Sequence, residues 1–326
     1  MSPLLIIIVL IVYFGSLFVI SYFTGRNANN ESFFIGNRQS PWYLVAIAMV
    51  GTSISGVTFI SVPGEVGVNQ FAYMQMVIGF FFGYLVIAKV LLPIYYMYNL
   101  TSIYTYLDNR FGRTWYKTGS AFFLLSRIVG CSFRLFLMSS VLQLAVFDAW
   151  GIPFELTVLC IMALILLYTF KGGIRTIVWT DTLQTIFMLT ALVLTIVAVK
   201  NALGLSVGQM VAEIRNSDYS RMWFFDNPKE KTFFWKQFLS GMFITIVMTG
   251  LDQDMMQKNL SCRNLKDAQK NMYWYGAAFI PINLLFMSLG AMLYIFCARN
   301  GISIPEHTDN LYPMLATRGY LPQVVS

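Results

Sequence analysis

Val50-Gly51-Thr52-Ser53-Ile54-Ser55-Gly56-Val57-Thr58-Phe59-Ile60-Ser61-Val62-Pro63-Gly64 is the stretch on which the fold turns. Nine of its fifteen residues are Gly, Pro, Ser or Thr, yet it lies inside a long apolar run, 42–62. At membrane depth so much small and hydroxylated sequence is costly unless the backbone bends around something. Small residues also serve close helix packing. Nine in fifteen exceeds what packing requires, so the stretch reads as a broken helix with a binding role.

A milder version recurs at 239–253, LSGMFITIVMTGLDQ, with Gly241, Thr245, Thr249 and Gly250. Here packing and binding remain equally open. Two weakened helices, each opening a block of further apolar runs, point to inverted repeats with a site near the bilayer midplane.

Composition puts the whole chain in lipid. Of 326 residues, 57% are hydrophobic, 16% aromatic and 11% charged, against about 25% charged in soluble chains. The mean hydropathy is +0.63. A cytosolic enzyme, a secreted disulfide scaffold and a coiled coil are excluded. Cys131, Cys160, Cys262 and Cys297 stand singly, so neither a disulfide framework nor a zinc site is indicated. One histidine, His307, leaves little for haem, zinc or His-based acid–base chemistry.

A spanning helix needs about 20 mostly apolar residues. Eight runs qualify: 4–23, 42–62, 71–98, 118–147, 153–170, 176–199, 233–251 and 272–297. The first is too long for a signal peptide, lacks an A-x-A site and ends in Thr24-Gly25-Arg26, so it reads as a retained helix. Loops 24–41, 99–117, 171–175 and 252–271 hold eleven Lys and Arg, whereas 63–70 and 148–152 hold none. The positive-inside rule therefore predicts an outside N-terminus and a cytoplasmic 252–271. The net charge of +7 follows from these loops, and no continuous basic patch for nucleic acid remains. The outward loops lack an Asn-x-Ser/Thr sequon, which suits a bacterial inner membrane.

With this frame in place, three motifs carry a family resemblance. Lys171-Gly172-Gly173-Ile174-Arg175 followed by Trp179-Thr180-Asp181-Thr182-Leu183-Gln184-Thr185 resembles the Gly-Gly, Thr-Asp, Gln signature of the sodium:solute symporter family. Gly250-Leu251-Asp252-Gln253-Asp254-Met255-Met256-Gln257-Lys258 resembles a second motif, roughly WG-x-x-Q-x-x-x-QR. Residues 51–64 resemble the family's broken first core helix, and Leu92-Pro93 closes the second as in relatives.

The resemblance implies an all-α polytopic fold of the LeuT type, two inverted five-helix repeats behind an extra leading helix. The chain then reads as one membrane domain. Residues 4–23 are the extra helix, 42–199 the first repeat, 233–297 the first two helices of the second, and 298–326 an outward loop. The missing C-terminal core helices would be partners of this same fold. The expectation is a C-terminally truncated member, ending at Gln323-Val324-Val325-Ser326, that cannot transport by itself. Residues 50–64 should then open onto a wide groove, and 42–62 and 233–251 should cross with each burying the other's small residues.

The resemblance also implies sodium-coupled symport of a small polar solute, with Na+ as the coupling ion. Sodium prefers hard oxygen donors, which an unwound helix turn supplies as free carbonyls. By motif match Gly51 and Ile54 offer those carbonyls, so Gly51–Gly56 should not be regular helix. Asp181 sits near the cytoplasmic end of its helix. An intramembrane carboxylate marks either an ion path or a charge pair, here with Arg127 or Arg175. Arg127 and Arg134 lie seven apart and share a helix face. Arg134 grips an anionic solute or pairs with Asp181, Asp252 or Glu65, and both readings stand.

Solute contacts are expected from Ser53, Ser55, Thr58, Gln75, Arg134, Thr245 and Met248, with Phe59 and Phe243 beside them. Sugar-transporting relatives carry a Glu and a Ser in the second core helix, an Asn at the Thr245 position and a gating Tyr at the Met248 position. This chain has none of these, so the solute is a sugar, a carboxylate or a similar small molecule bound in another way. A sodium-independent or proton-coupled carrier is the nearest alternative. An embedded enzyme would need a cluster such as HExxH or paired carboxylates in one leaflet, and a channel would need charge rings or a filter loop. Neither pattern is present in the sequence.

Overall fold

The computed structural model describes residues 3–25, 35–100, 102–169, 173–317 and 320. Arg26, Lys171, Gly172 and the terminal Gln323–Ser326, all used above, lie outside the described residues.

The described chain is helical, with one isolated bridge between Ser40 and Cys262. The first helix, α1 (Pro3–Gly25), is apolar all round and leaves Ile11, Val12 and Tyr22 exposed. That is the surface of a helix facing lipid. The broken span follows as α2 (Trp42–Ser53) and α3 (Gly56–Asn69), bent by 61°. Next come α4 (Tyr73–Met97), α5 (Ile103–Phe111), α6 (Arg113–Leu142), α7 (Phe154–Thr169) and α8 (Gly173–Ala202). A short amphipathic α9 (Val207–Asn216), capped by Ser206 and Gln209, lies before the second broken span. That span is α10 (Phe234–Gly250) and α11 (Gln253–Leu260), bent by 68°. The chain continues through α12 (Leu265–Asn300) to α13 (Leu311–Thr317).

Five helices are each long and apolar enough to cross a bilayer: α1, α4, α6, α8 and α12. The two bent pairs raise the number to seven. The run expected at 153–170 forms the shorter apolar α7, of 16 residues.

Two joints hold the molecule together. In the first, α4 and α10 touch backbone to backbone. A methyl on Gly79 would lie 2.1 Å from the Phe238 carbonyl oxygen, and one on Gly241 would lie 2.3 Å from that of Met76. In the second, threonines of α8 lace it to α2. Thr182 Oγ1 lies 3.2 Å from the Leu44 carbonyl and 2.7 Å from that of Val178, and Thr185 Oγ1 lies 3.0 Å from the Ile47 carbonyl and 2.6 Å from that of Asp181, so each single proton is shared between the two helices. A methyl on Gly51 would fall 1.9 Å from Thr185 Oγ1, so only glycine lets the two helices meet there. The mutual burial expected between 42–62 and 233–251 is therefore corrected. Gly51 packs on α8 and Gly241 packs on α4. Behind both joints, α12 supplies much of the core through Phe286, Leu289 and Leu293.

The breaks are narrower than expected. The α2 ladder runs until Ile54 N–H reaches the Val50 carbonyl at 2.9 Å. Only Ile54 and Ser55 are extended, with ψ of 101° and 171°. Gly51 is thus helical, and its glycine serves the approach to α8 rather than unwinding. In the second span the ladder first widens into a π turn, Ile246–Gly250, and then breaks at Leu251 and Asp252. A similar π turn, Ile87–Leu91, precedes Pro93 in α4, where the missing N–H of proline leaves a carbonyl to be accommodated.

Candidate functional site

At the first break four successive carbonyls are left over. Among the described residues no backbone N–H takes up the oxygens of Gly51, Thr52, Ser53 or Ile54. The Ser55 N–H, which would have returned to Gly51, goes instead to Thr58 Oγ1 at 3.3 Å. A helix that gives up four bonds in an apolar setting is stable only where something polar replaces them. Unpaired carbonyl oxygens are hard donors, the type that suits a sodium ion.

Asp181 approaches this turn from α8. Its Oδ2 lies 2.9 Å from Thr52 Oγ1, whose proton can go there or to the Ala48 carbonyl, also at 2.9 Å. The same carboxylate oxygen accepts from Lys258 Nζ at 2.7 Å, and Lys258 also donates to Thr52 Oγ1 at 2.6 Å. Asp181 is therefore paired, but with Lys258 of α11 rather than with Arg127 or Arg175. Arg127 of α6 instead pairs with Asp252 at the second break. Asp252 also caps α11 by accepting from the Met255 N–H at 3.1 Å. Each break is thus flanked by an acid held by a cation from another helix.

Beside the breaks lies an open cavity of about 590 Å³ between α2, α4, α6, α10 and α12. Of the residues expected to touch solute, Ser53, Arg134, Thr245 and Met248 line it. Arg134 makes no ion pair among the described residues, with Asp181, Asp252, Glu65 or any other acid. Thr245 is buried against Gly83, while Met248 is largely exposed to the cavity. Ser55 and Thr58 belong to the break itself and cap α3, outside the cavity lining.

Gln75 is elsewhere. Its amide donates to the Thr232 carbonyl at 2.8 Å and accepts from the Phe224 N–H at 3.1 Å, fastening the loop before α10. Phe59 packs edge-on against Phe286 and Tyr312, and Phe243 is exposed on α10. None of these three lines the cavity.

Three cavity and break residues escaped the sequence reading. Tyr275, fully buried, joins Ser53 Oγ at 2.5 Å and Tyr84 OH at 2.9 Å, so a chain of hydroxyls ties α2, α12 and α4 together at the cavity wall. Tyr95 OH donates to the Gly250 carbonyl at 2.9 Å, satisfying an oxygen freed at the second break. Buried tyrosines carry no periodic signal that separates them from core aromatics. Lys258 was hidden differently, because counting it among cytoplasmic loop charges assigned it to water. Its place in the second motif, directly after Gln257, was the available clue.

Comparison with known proteins agrees with the fold. The profile of the sodium:solute symporter family matches residues 33–319. Mouse sodium-coupled monocarboxylate transporter 1 is 26% identical over 84% of this chain and 43% of its own length. Human sodium-coupled monocarboxylate transporter 2 is 24% identical over 93% and 48%. A rabbit sodium-dependent multivitamin transporter is 29% identical over 76% and 38%. The chain spans about half the length of these curated relatives or less. A solved Na+-coupled sialic acid symporter in a substrate-bound, outward-open state superposes with a TM-score of 0.80 over 94% of this chain and 65% of its own, at 19% identity. At that identity the likeness shows a shared fold.

Proposed function

Since this chain belongs to the sodium:solute symporter family, we propose that it forms the ion- and solute-gripping part of a sodium-coupled symporter for a small carboxylate. The observation that carries the reading is the two-residue break at Ile54–Ser55, which directly follows Thr52, the residue that meets Asp181, and Ser53, which with Thr52 lines the cavity. Sodium would take the Gly51 and Ile54 oxygens and reach or leave them past Asp181. No covalent step is involved, because coupling needs only that ion and solute favour the same conformation.

The solute class rests on Arg134 and on the relatives. An arginine with no acidic ion-pair partner among the described residues, on the cavity wall, favours a carboxylate, which its planar fork matches. Two of the relatives are named for monocarboxylates and the structural neighbour for sialic acid. Ser53, Thr245 and Met248 complete the contact set on this reading. Eight segments would cross the membrane if the shorter α7 is counted, with the N-terminus outside. A bacterial inner membrane fits the absence of sequons from the outward loops.

The test is uptake by the intact protein in proteoliposomes, comparing short monocarboxylates with neutral sugars under an inward sodium or choline gradient. Monocarboxylate uptake that requires sodium is expected. Equal uptake in choline would leave a carrier driven by something else, and preferential sugar uptake would remove Arg134 from the solute site.

A further inference from the structure

Lys258 is almost wholly buried, with a side chain 2% exposed, and its ammonium lies among oxygens. Asp181 Oδ2 is at 2.7 Å and Thr52 Oγ1 at 2.6 Å, and the Asp254 carboxylate stands 4.0 Å away. Thr52 is two residues before the break, and its hydroxyl also lies 2.9 Å from the Ala48 carbonyl oxygen one turn back. A carboxylate, a hydroxyl and the Ala48 carbonyl beside it make a donor set that suits a small monovalent cation. In this conformation a side-chain cation holds part of it.

We propose that Lys258 is a tethered competitor of sodium, its ammonium occupying the Asp181–Thr52 oxygens when sodium is absent and being displaced when sodium binds. This rests on the sodium-coupled reading above and adds the residue that sets sodium affinity. Two considerations support it. An unpaired carboxylate beside a cavity in lipid is expensive, so an ion-free site needs a resident counter-charge. In addition, α11 reaches the site across the second break, where the backbone is already interrupted at Leu251–Asp252. Release of the ammonium would therefore free α11 to move relative to α2 and α8. Sodium binding would then be converted into movement by exchanging one cation for another at a single acid. Direct competition also explains why a buried lysine is placed here and not a neutral donor.

The experiment measures sodium binding without transport. In the intact, detergent-purified protein, thermal stabilisation is titrated with sodium chloride against choline chloride at constant ionic strength. Lys258→Met and Lys258→Gln remove the competing charge, the second while keeping a donor for Asp181. Lys258→Arg keeps the charge. The neutral variants should reach half-maximal stabilisation at about tenfold lower sodium, the factor expected if the ammonium holds the site roughly nine-tenths of the time. Lys258→Arg should stay near the native midpoint. A midpoint unchanged or raised in Lys258→Gln overturns the proposal, and so does failure of both neutral variants to fold, since the ammonium is then a structural strut. If sodium stabilises the native protein but the variants do not shift, only this inference fails. Absence of any sodium effect on the native protein removes the sodium-coupled reading with it.

Discussion

Asp181 is paired in the folded protein, and that changes what its replacement should do. Asp181→Asn leaves the Lys258 ammonium buried against an amide oxygen, and removing one partner of a buried pair costs about 3 to 5 kcal/mol. The partial exposure of Asp181 and the retained amide oxygen should bring the loss toward the lower end of that range. Removing Lys258 as well should restore at least half of it. Denaturation of Asp181→Asn, Lys258→Met and the double variant in detergent checks this through the coupling term. Additive losses would mean that the two groups do not sense one another. Arg134→Gln should behave differently. It lines the cavity and has no acidic ion-pair partner among the described residues, so its loss should leave sodium-induced stabilisation intact. Half-saturation for a monocarboxylate should rise about 10- to 100-fold, the scale of one charge-assisted hydrogen bond. An unchanged half-saturation constant in an uptake assay would assign the guanidinium to another role. At this scale the sequence was informative where a residue type is out of place in lipid, as for Asp181 and Arg134. It was silent on pairings, because Lys258 and Asp181 are brought together by a helix reversal that no local pattern encodes. Gln75 shows the opposite failure. A glutamine in an apolar run suggests a ligand, yet the loop before α10 uses both ends of its amide.

The elements were legible as apolar runs and the breaks as clusters of small residues, but the two functions of a small residue could not be separated. Gly51 was expected to unwind its helix and instead admits Thr185. Unwinding falls at Ile54 and Ser55, a β-branched residue and a serine with no distinctive signal in that position. The seam of α4 and α10 gives the clearest element-level prediction. Gly241→Val would drive a side chain into the Met76 carbonyl, which cannot rotate away as a side-chain terminus could. Overpacking of this kind costs about 1 to 3 kcal/mol. A lower midpoint in thermal unfolding is expected, whereas Gly130→Val should be neutral because a Cβ at Gly130 meets nothing within 4 Å. Equal stability of the two variants would contradict the backbone-to-backbone seam.

For the whole molecule, the proposed orientation rests on loop charge alone and can be tested directly. Val68 and Arg263 are exposed, the first at the end of α3 and the second next to Cys262, which bridges to Ser40 just before α2 at the other end of the same broken span. In a background lacking the exposed Cys131 and Cys160, an impermeant thiol reagent should label Val68→Cys on intact cells and reach Arg263→Cys only after permeabilisation. The reverse pattern would invert the topology. Backbones in contact at Gly79 and Gly241 leave no side chain between them to rearrange, so α4 and α10 should turn together if the helices move at all. The threonines that lace α8 to α2 make a second such pair. If the proposed symport holds, movement of α11 and α12 against α2 and α8 would have to part the contacts of Ser53 with Tyr275 and of Lys258 with Thr52 and Asp181. Those few polar contacts would then act as a latch, with the glycine and threonine joints as the frame around it.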